Sequence, residues 1–273
     1  MSRGWTLGPL TRSVFAVLAT VSSSASLLTA QIQDNSFLLE EAYNQDRGIV
    51  QHISTFSRSS GGDWLYSFTQ EWPLGGIYHQ LSYTIPLQRN RGTGTGLGDI
   101  ALNYRYQLIG KPQSSLLMAP RLTLLLPTGR EEVGRGTGGV GLQGNFPLTL
   151  IAGSRLVTHW NAGLTLTPSA RNTVGDRATT SSFNIGASVV GLIRSDLNFM
   201  LEGLWLSTQE VAGASGTRRE NSAYLNPGIR WAFNYKSGLQ VVPGLAYTFA
   251  LGPSTDRDAL FLYLSFEHPF KAQ

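Results

Sequence analysis

From Gly48 onward the chain alternates, and that alternation constrains its fold more than any other feature. In GDIALNYRYQL, Ile100, Leu102, Tyr104, Tyr106 and Leu108 fall on one side, and Asp99, Ala101, Asn103, Arg105 and Gln107 on the other. A period of two is the signature of a strand with one apolar and one polar face. The pattern recurs in DWLYSFTQEW, where Trp64, Tyr66, Phe68 and Trp72 oppose Glu71. It recurs again in PGIRWAFNY, where Ile229, Trp231, Phe233 and Tyr235 oppose Arg230 and Asn234. Twelve such runs cover 48–57, 63–73, 77–87, 97–108, 114–126, 139–151, 155–167, 181–193, 197–208, 222–235, 239–251 and 259–270.

The connections alternate too. Those near 74–76, 109–113, 152–154, 194–196 and 236–238 are short. Those at 58–62, 88–96, 127–138, 168–180, 209–221 and 252–258 are mostly longer and rich in Gly, Ser, Thr and Arg. Runs of this length, with short turns at one end and long loops at the other, predict an all-β fold. It is a closed antiparallel transmembrane β-barrel of about twelve strands, of the bacterial outer-membrane type. Composition agrees: only 14% of residues are charged, against about 25% in ordinary soluble domains. The net charge is +4, and Arg3 and Arg12 are the only charges in the first thirty residues. The rest is nearly balanced, with its basic residues scattered, which argues against a nucleic-acid surface.

Registering each run by its apolar residues sends the charges inward. The expected lumen-lining set is Glu71, Asp99, Arg105, Arg121, His159, Glu202, Arg230 and Glu267. An outward charge costs roughly 2–4 kcal/mol at the bilayer midplane, whereas an inward one is solvated or paired. These wall charges are expected to pair with one another and narrow the lumen. Twelve strands fall between a filled barrel and an open porin, so a narrow or partly plugged interior follows. The outward aromatics Trp64, Trp72, Tyr106, Trp205, Tyr235 and Phe270 are expected at the membrane interfaces. Pro120, Pro147, Pro227 and Pro243 lie inside runs although proline cannot donate to a ladder. Pro227-Gly228 and Pro243-Gly244 therefore read as bulges or bends.

The first thirty residues read as a secretory signal: Arg3 and Arg12, the apolar core Val14 to Val21, then small residues up to Ala30. Residues 31–47 carry four acids, no strand alternation and the apolar Phe37, Leu38 and Leu39, and are expected to pack into or under the barrel mouth as a periplasmic or plug segment. Residues 48–273 form the barrel. No catalytic set or cofactor site emerges. Gly94, Gly96 and Gly98 lack dinucleotide spacing; Gly134, Gly136 and Gly139 have it, but a strand follows where a helix N-terminus would be needed. No histidine spacing suits a metal, no cysteine is present, and no G-x-S-x-G occurs.

FLLEEAYNQDRGIVQHIS (37–54), GTGLGDIALNYRYQL (94–108) and LTLLLPTG (122–129) resemble a bacterial outer-membrane family. It is named for the meta-cleavage pathway of phenol degradation, and its members are often labelled transporter. The resemblance implies a barrel that moves small molecules, sometimes aromatic ones. The ending FEHPF resembles the aromatic-terminated last strand that the barrel-assembly machinery reads, although Lys271 to Gln273 follow Phe270. The expected function is a non-enzymatic barrel that passes or binds a small solute through a lumen of mixed charge. Its partners are outer-membrane lipids, the solute and the assembly machinery. The alternatives are a structural or adhesive barrel and an outer-membrane hydrolase.

Overall fold

The computed structural model describes residues 36–111, 113–214, 216–252 and 258–270. The expected signal over 1–30, residues 31–35 and the last three residues lie outside them. The described residues form twelve antiparallel strands, four of them in two pieces. These are β1 (Ile49–Ser59), β2 (Trp64–Pro73), β3 (His79–Asn90) and β4 (Gly94–Leu97 and Ile100–Tyr106). Next come β5 (Leu116–Met118 and Arg121–Leu126), β6 (Gly141–Asn145 and Leu148–Ala152), β7 (Leu156–Arg171) and β8 (Arg177–Arg194). The last are β9 (Leu197–Val211), β10 (Thr217–Trp231 and Phe233–Asn234), β11 (Gln240–Leu251) and β12 (Ala259–Pro269). Each pairs with its sequence neighbours, and β12 returns to β1, with Ile49 opposite Pro269 and Ser59 opposite Ala259. The barrel is closed, so no edge is left unpaired.

The end where β1 begins and β12 finishes is called lower. Alternation sorts the side chains as the apolar register requires. Leu102, Leu122, Ile185, Leu262 and their outward neighbours are exposed, while Asn103, Thr123, Ser188 and Ser265 are buried. A globule would bury the leucines; here the apolar face is outside because lipid, not protein, covers it.

The upper end differs from the sequence reading. Strands β7 to β10 run well past the alternating stretches; the turn at 172–176 is tight, and Ala212 N–H donates to the Gly216 carbonyl at 2.9 Å. Above the bilayer both faces meet water, so the apolar signal fades while the ladder continues. Arg171 pairs with Arg177, and Glu210 with Arg218. Among the described residues, 127–140 is the long upper connection. It holds one 3-10 turn, Glu131–Val133, ended by Gly134 at φ 69°. Arg135 donates to the Thr93 and Gly94 carbonyls at 2.8 and 3.1 Å, which folds this loop onto the turn after β3. The Glu131 carboxyl is held below its usual range, first by a bond to its own backbone N–H and then by Arg171 at 3.2 Å.

The prolines act in two ways. Pro120 and Pro147 interrupt β5 and β6 side by side. Pro227 and Pro243 keep a continuous register with β9 and β12 but leave gaps in the β10–β11 ladder; the register is the same on both sides of each gap, so no bulge lies there. The register shifts fall instead at 167–170 in β7, where Ser169 has φ 57°, and at 192–194 in β8.

Candidate functional site

Residues 36–45 lie inside the barrel. They have no strand beside them, so their backbone must be satisfied by inward side chains. The Leu38 and Leu39 N–H groups donate to Glu202 Oε1 at 2.9 and 3.2 Å. Glu40 N–H donates to Asn161 Oδ1 at 3.0 Å, and Asn161 Nδ2 donates back to the Glu40 carbonyl at 2.8 Å. Ala42 N–H reaches Thr149 Oγ1 at 2.8 Å, and Gln107 Nε2 reaches the Ala42 carbonyl at 2.8 Å. Gln45 N–H donates to Gln80 Oε1 at 2.7 Å, and its side chain donates to Gln51. Asparagine and glutamine suit this because one amide both donates and accepts, as a strand edge would. The path runs along β9, β7, β6, β4 and β3 to β1, descending to the lower rim where β1 starts.

Phe37 packs against the wall formed by β10 to β12. Its ring packs on Phe261 and Tyr263 of β12, with centroids 5.5 and 5.4 Å away. On the same wall, beside Tyr263, Gly228 and Gly244 lie beneath the ring, where an added Cβ would strike it. Leu39 sits in the same way over Gly186, whose added Cβ would come within 2.6 Å of it. Three inward glycines thus form the seat of two apolar side chains. The Pro-Gly pairs read as bends are this seat, and only the parity of the glycines signals it in the sequence.

Ion pairs complete the closure. Arg121 Nη2 lies 2.7 Å from Glu40 Oε1. Arg105 lies 3.4 Å from Glu41 and 3.6 Å from Glu71, and it donates to Asn44 Oδ1 at 3.0 Å. The expected wall-to-wall pairing occurs at Arg105–Glu71, and Glu40 and Glu41 add partners from the segment that the expectation did not include. Two arms reach back from the segment, from Glu40 and Glu41, to positions that sequence alone cannot bring together.

The other lumen residues are placed as follows. His159 is buried and its Nδ1 lies 2.8 Å from Thr149 Oγ1, so it braces the hydroxyl that holds Ala42. Arg230 is buried beside Asn198, its partner in the ladder. Glu267 is half-buried at the lower rim, opposite Gln51. Asp99 faces inward at the upper mouth, where it accepts from Gly129 N–H and Thr137 N–H at 3.0 and 2.8 Å. It anchors the 127–140 loop and does not reach the segment. The interface aromatics all lie outside the lumen. Trp72, Tyr106, Tyr235 and Phe270 lie at the lower end and Trp64 at the upper end of β2. Trp205 falls near the middle of β9, because that strand continues to Val211. Trp160, 49% exposed, belongs with the outward aromatics although the sequence reading did not single it out.

Beside the segment is a cavity of about 160 Å³. Phe37, Ile53 and Tyr263 line one side, and Glu71, Arg105 and Arg121 the other. Among the described residues no three metal-ligating side chains cluster. The outward histidines are bonded to each other, His52 Nε2 to His268 Nε2 at 3.2 Å, or to Tyr104, from His79 at 2.7 Å.

The model of the family described as "Putative MetA-pathway of phenol degradation" matches residues 38–250. The chain belongs to that family. The match takes in the lumen segment from Leu38 as well as most of the barrel. No curated protein is similar enough to be matched. Among solved structures, the COG4313 outer membrane channel from Pseudomonas putida F1 superposes with a TM-score of 0.61 at 10% identity, over 84% of this chain and 98% of that one. The NanC porin superposes with a TM-score of 0.55 at 10% identity, over 81% of this chain and all of that one. The shared fold is that of outer-membrane barrels, and the protein is a bacterial outer-membrane barrel. In such barrels the short turns and both strand termini lie on the periplasmic side, so the lower end is periplasmic.

Proposed function

We propose that this barrel is a channel for a small solute of about one aromatic ring, and that residues 36–45 are its periplasmic closure. One observation carries the reading: the segment crosses the lumen and leaves beside it a cavity of about 160 Å³. A cavity of roughly 150 Å³ has room for benzene, so this one has room for a single ring, with Phe37, Ile53 and Tyr263 as its apolar part and polar groups around the rest. The similar channel from Pseudomonas putida and the phenol-degradation family support the same reading. The leader delivers the chain to the periplasm. The assembly machinery reads the last strand near Phe270, and lipid covers the outward belt.

Solute flux into liposomes tests this. The wild-type barrel passes single-ring solutes and excludes disaccharides, and a variant lacking residues 36–45 passes both. A deletion variant that assembles but shows no gain in flux would favour a structural barrel without transport. Esterase activity blocked by a serine-directed inhibitor would favour the hydrolase.

A further inference from the structure

Arg105 and Arg121 occupy directly opposed positions on β4 and β5. Like charges in that relation are destabilising, and both guanidinium groups line the cavity beside the segment. The wall gives this pair one close carboxylate, Glu71, at 3.6 Å from Arg105. The segment supplies two more: Glu40 at 2.7 Å from Arg121 and Glu41 at 3.4 Å from Arg105. With the segment seated, three acids surround two bases. With it withdrawn, two bases face one acid, and the site carries an excess positive charge with only neutral polar neighbours such as Asn103 and Gln143 beside it. Arg121 Nε is buried and has no hydrogen-bond partner, so one donor of the fork is unused even in the closed state.

We propose that Arg105 and Arg121 form a carboxylate-binding site for the solute, and that Glu40 and Glu41 hold its place while the lumen is closed. This rests on the reading of the lumen as a solute path and names the solute class: a small aromatic monocarboxylate. Its ring lies on the wall residues Ile53 and Tyr263, and its carboxylate takes the arginine fork. Guanidinium suits this role because its planar donors match a carboxylate in two parallel bonds. The solute and Glu40 compete for one cation, so binding and opening are the same event.

Calorimetric titration of the detergent-solubilised barrel tests this without requiring flux. Sodium benzoate is compared with benzyl alcohol, which has the same ring and no charge. Wild type binds benzoate at least tenfold more tightly than benzyl alcohol. Glu40→Gln, which frees the fork, tightens benzoate binding about tenfold more than it tightens that of benzyl alcohol. Arg121→Gln removes the preference; should it fail to assemble, the Glu40→Gln comparison decides alone. Equal binding of the two compounds, no binding of benzoate to wild type or Glu40→Gln, or no gain in Glu40→Gln would overturn the proposal. If benzoate binds as stated but no solute crosses liposomes, the channel reading fails and the carboxylate site stands.

Discussion

Replacing Phe37 by alanine should loosen the lumen segment without loosening the barrel. The ring is 7% exposed, seated on Gly228 and Gly244 and packed on Phe261 and Tyr263. A buried Phe→Ala change costs about 3–5 kcal/mol. Phe37 lies outside the strand ladder, so that cost falls on the docking equilibrium of residues 36–45. At 1.4 kcal/mol per tenfold, the open fraction rises by roughly two to three and a half powers of ten. The segment does not detach outright. The hydrogen bonds at Leu38, Leu39, Glu40, Ala42 and Gln45 remain, each contributing about 0.5–1.5 kcal/mol. Amide hydrogen exchange in nanodiscs reads this directly. Protection at Leu39 and Ala42 should fall at least a hundredfold, while that at Val190 and Leu262, in the ladder, is unchanged. Gly228→Ala should act in the same direction from the wall, because its new methyl group displaces the ring. The reasoning is refuted if protection in the segment is unchanged, or if it falls equally in segment and strands.

Glu202→Gln replaces the carboxylate that holds two segment N–H groups with a neutral acceptor; segment amides should exchange about tenfold faster, with heat-modifiable gel mobility showing that the barrel still assembles. Leu262→Arg places a charge on the outward face and should lower folding stability in vesicles by roughly 2–4 kcal/mol, whereas Thr55→Arg, inward at the cavity, should cost less. In the upper loop, the Glu131 carboxyl is lowered in the folded state. Its contribution is therefore present above its ordinary pKa and is lost as pH falls through the lower folded value. The Gly134 amide resonance should shift only below the usual carboxylate range, and Glu131→Gln should abolish that shift.

Strand count, order and facing were legible because lipid and lumen impose opposite demands on adjacent residues, as at Leu102 and Asn103. The signal ended where lipid ended. Residues Thr217–Asn221 and Arg177–Thr180 are polar on both faces, so they read as loop although the ladder continues through them. The charged lumen residues stood out by type. The hydrogen-bonding rungs Gln80, Gln107, Thr149 and Asn161 did not, because neutral polar residues on an inward face are unremarkable until something docks on them. Phe37 and its glycine seat were the hardest to read. They are separated by about 190 residues of chain, and nothing local to Gly228 marks it as the floor of an aromatic niche.

The central claim, that residues 36–45 close the lumen, is tested most directly by locking them there. The native chain has no cysteine, and Ser36 Oγ lies 2.8 Å from Ser188 Oγ across the segment–wall contact. The double variant Ser36→Cys, Ser188→Cys can be oxidised to a disulfide, and flux of a single-ring solute into liposomes then measured before and after reduction. The account predicts that the oxidised barrel is closed, and that dithiothreitol restores flux to the level of the single variants. Equal flux in the oxidised and reduced states, with the disulfide verified by mass, would contradict it.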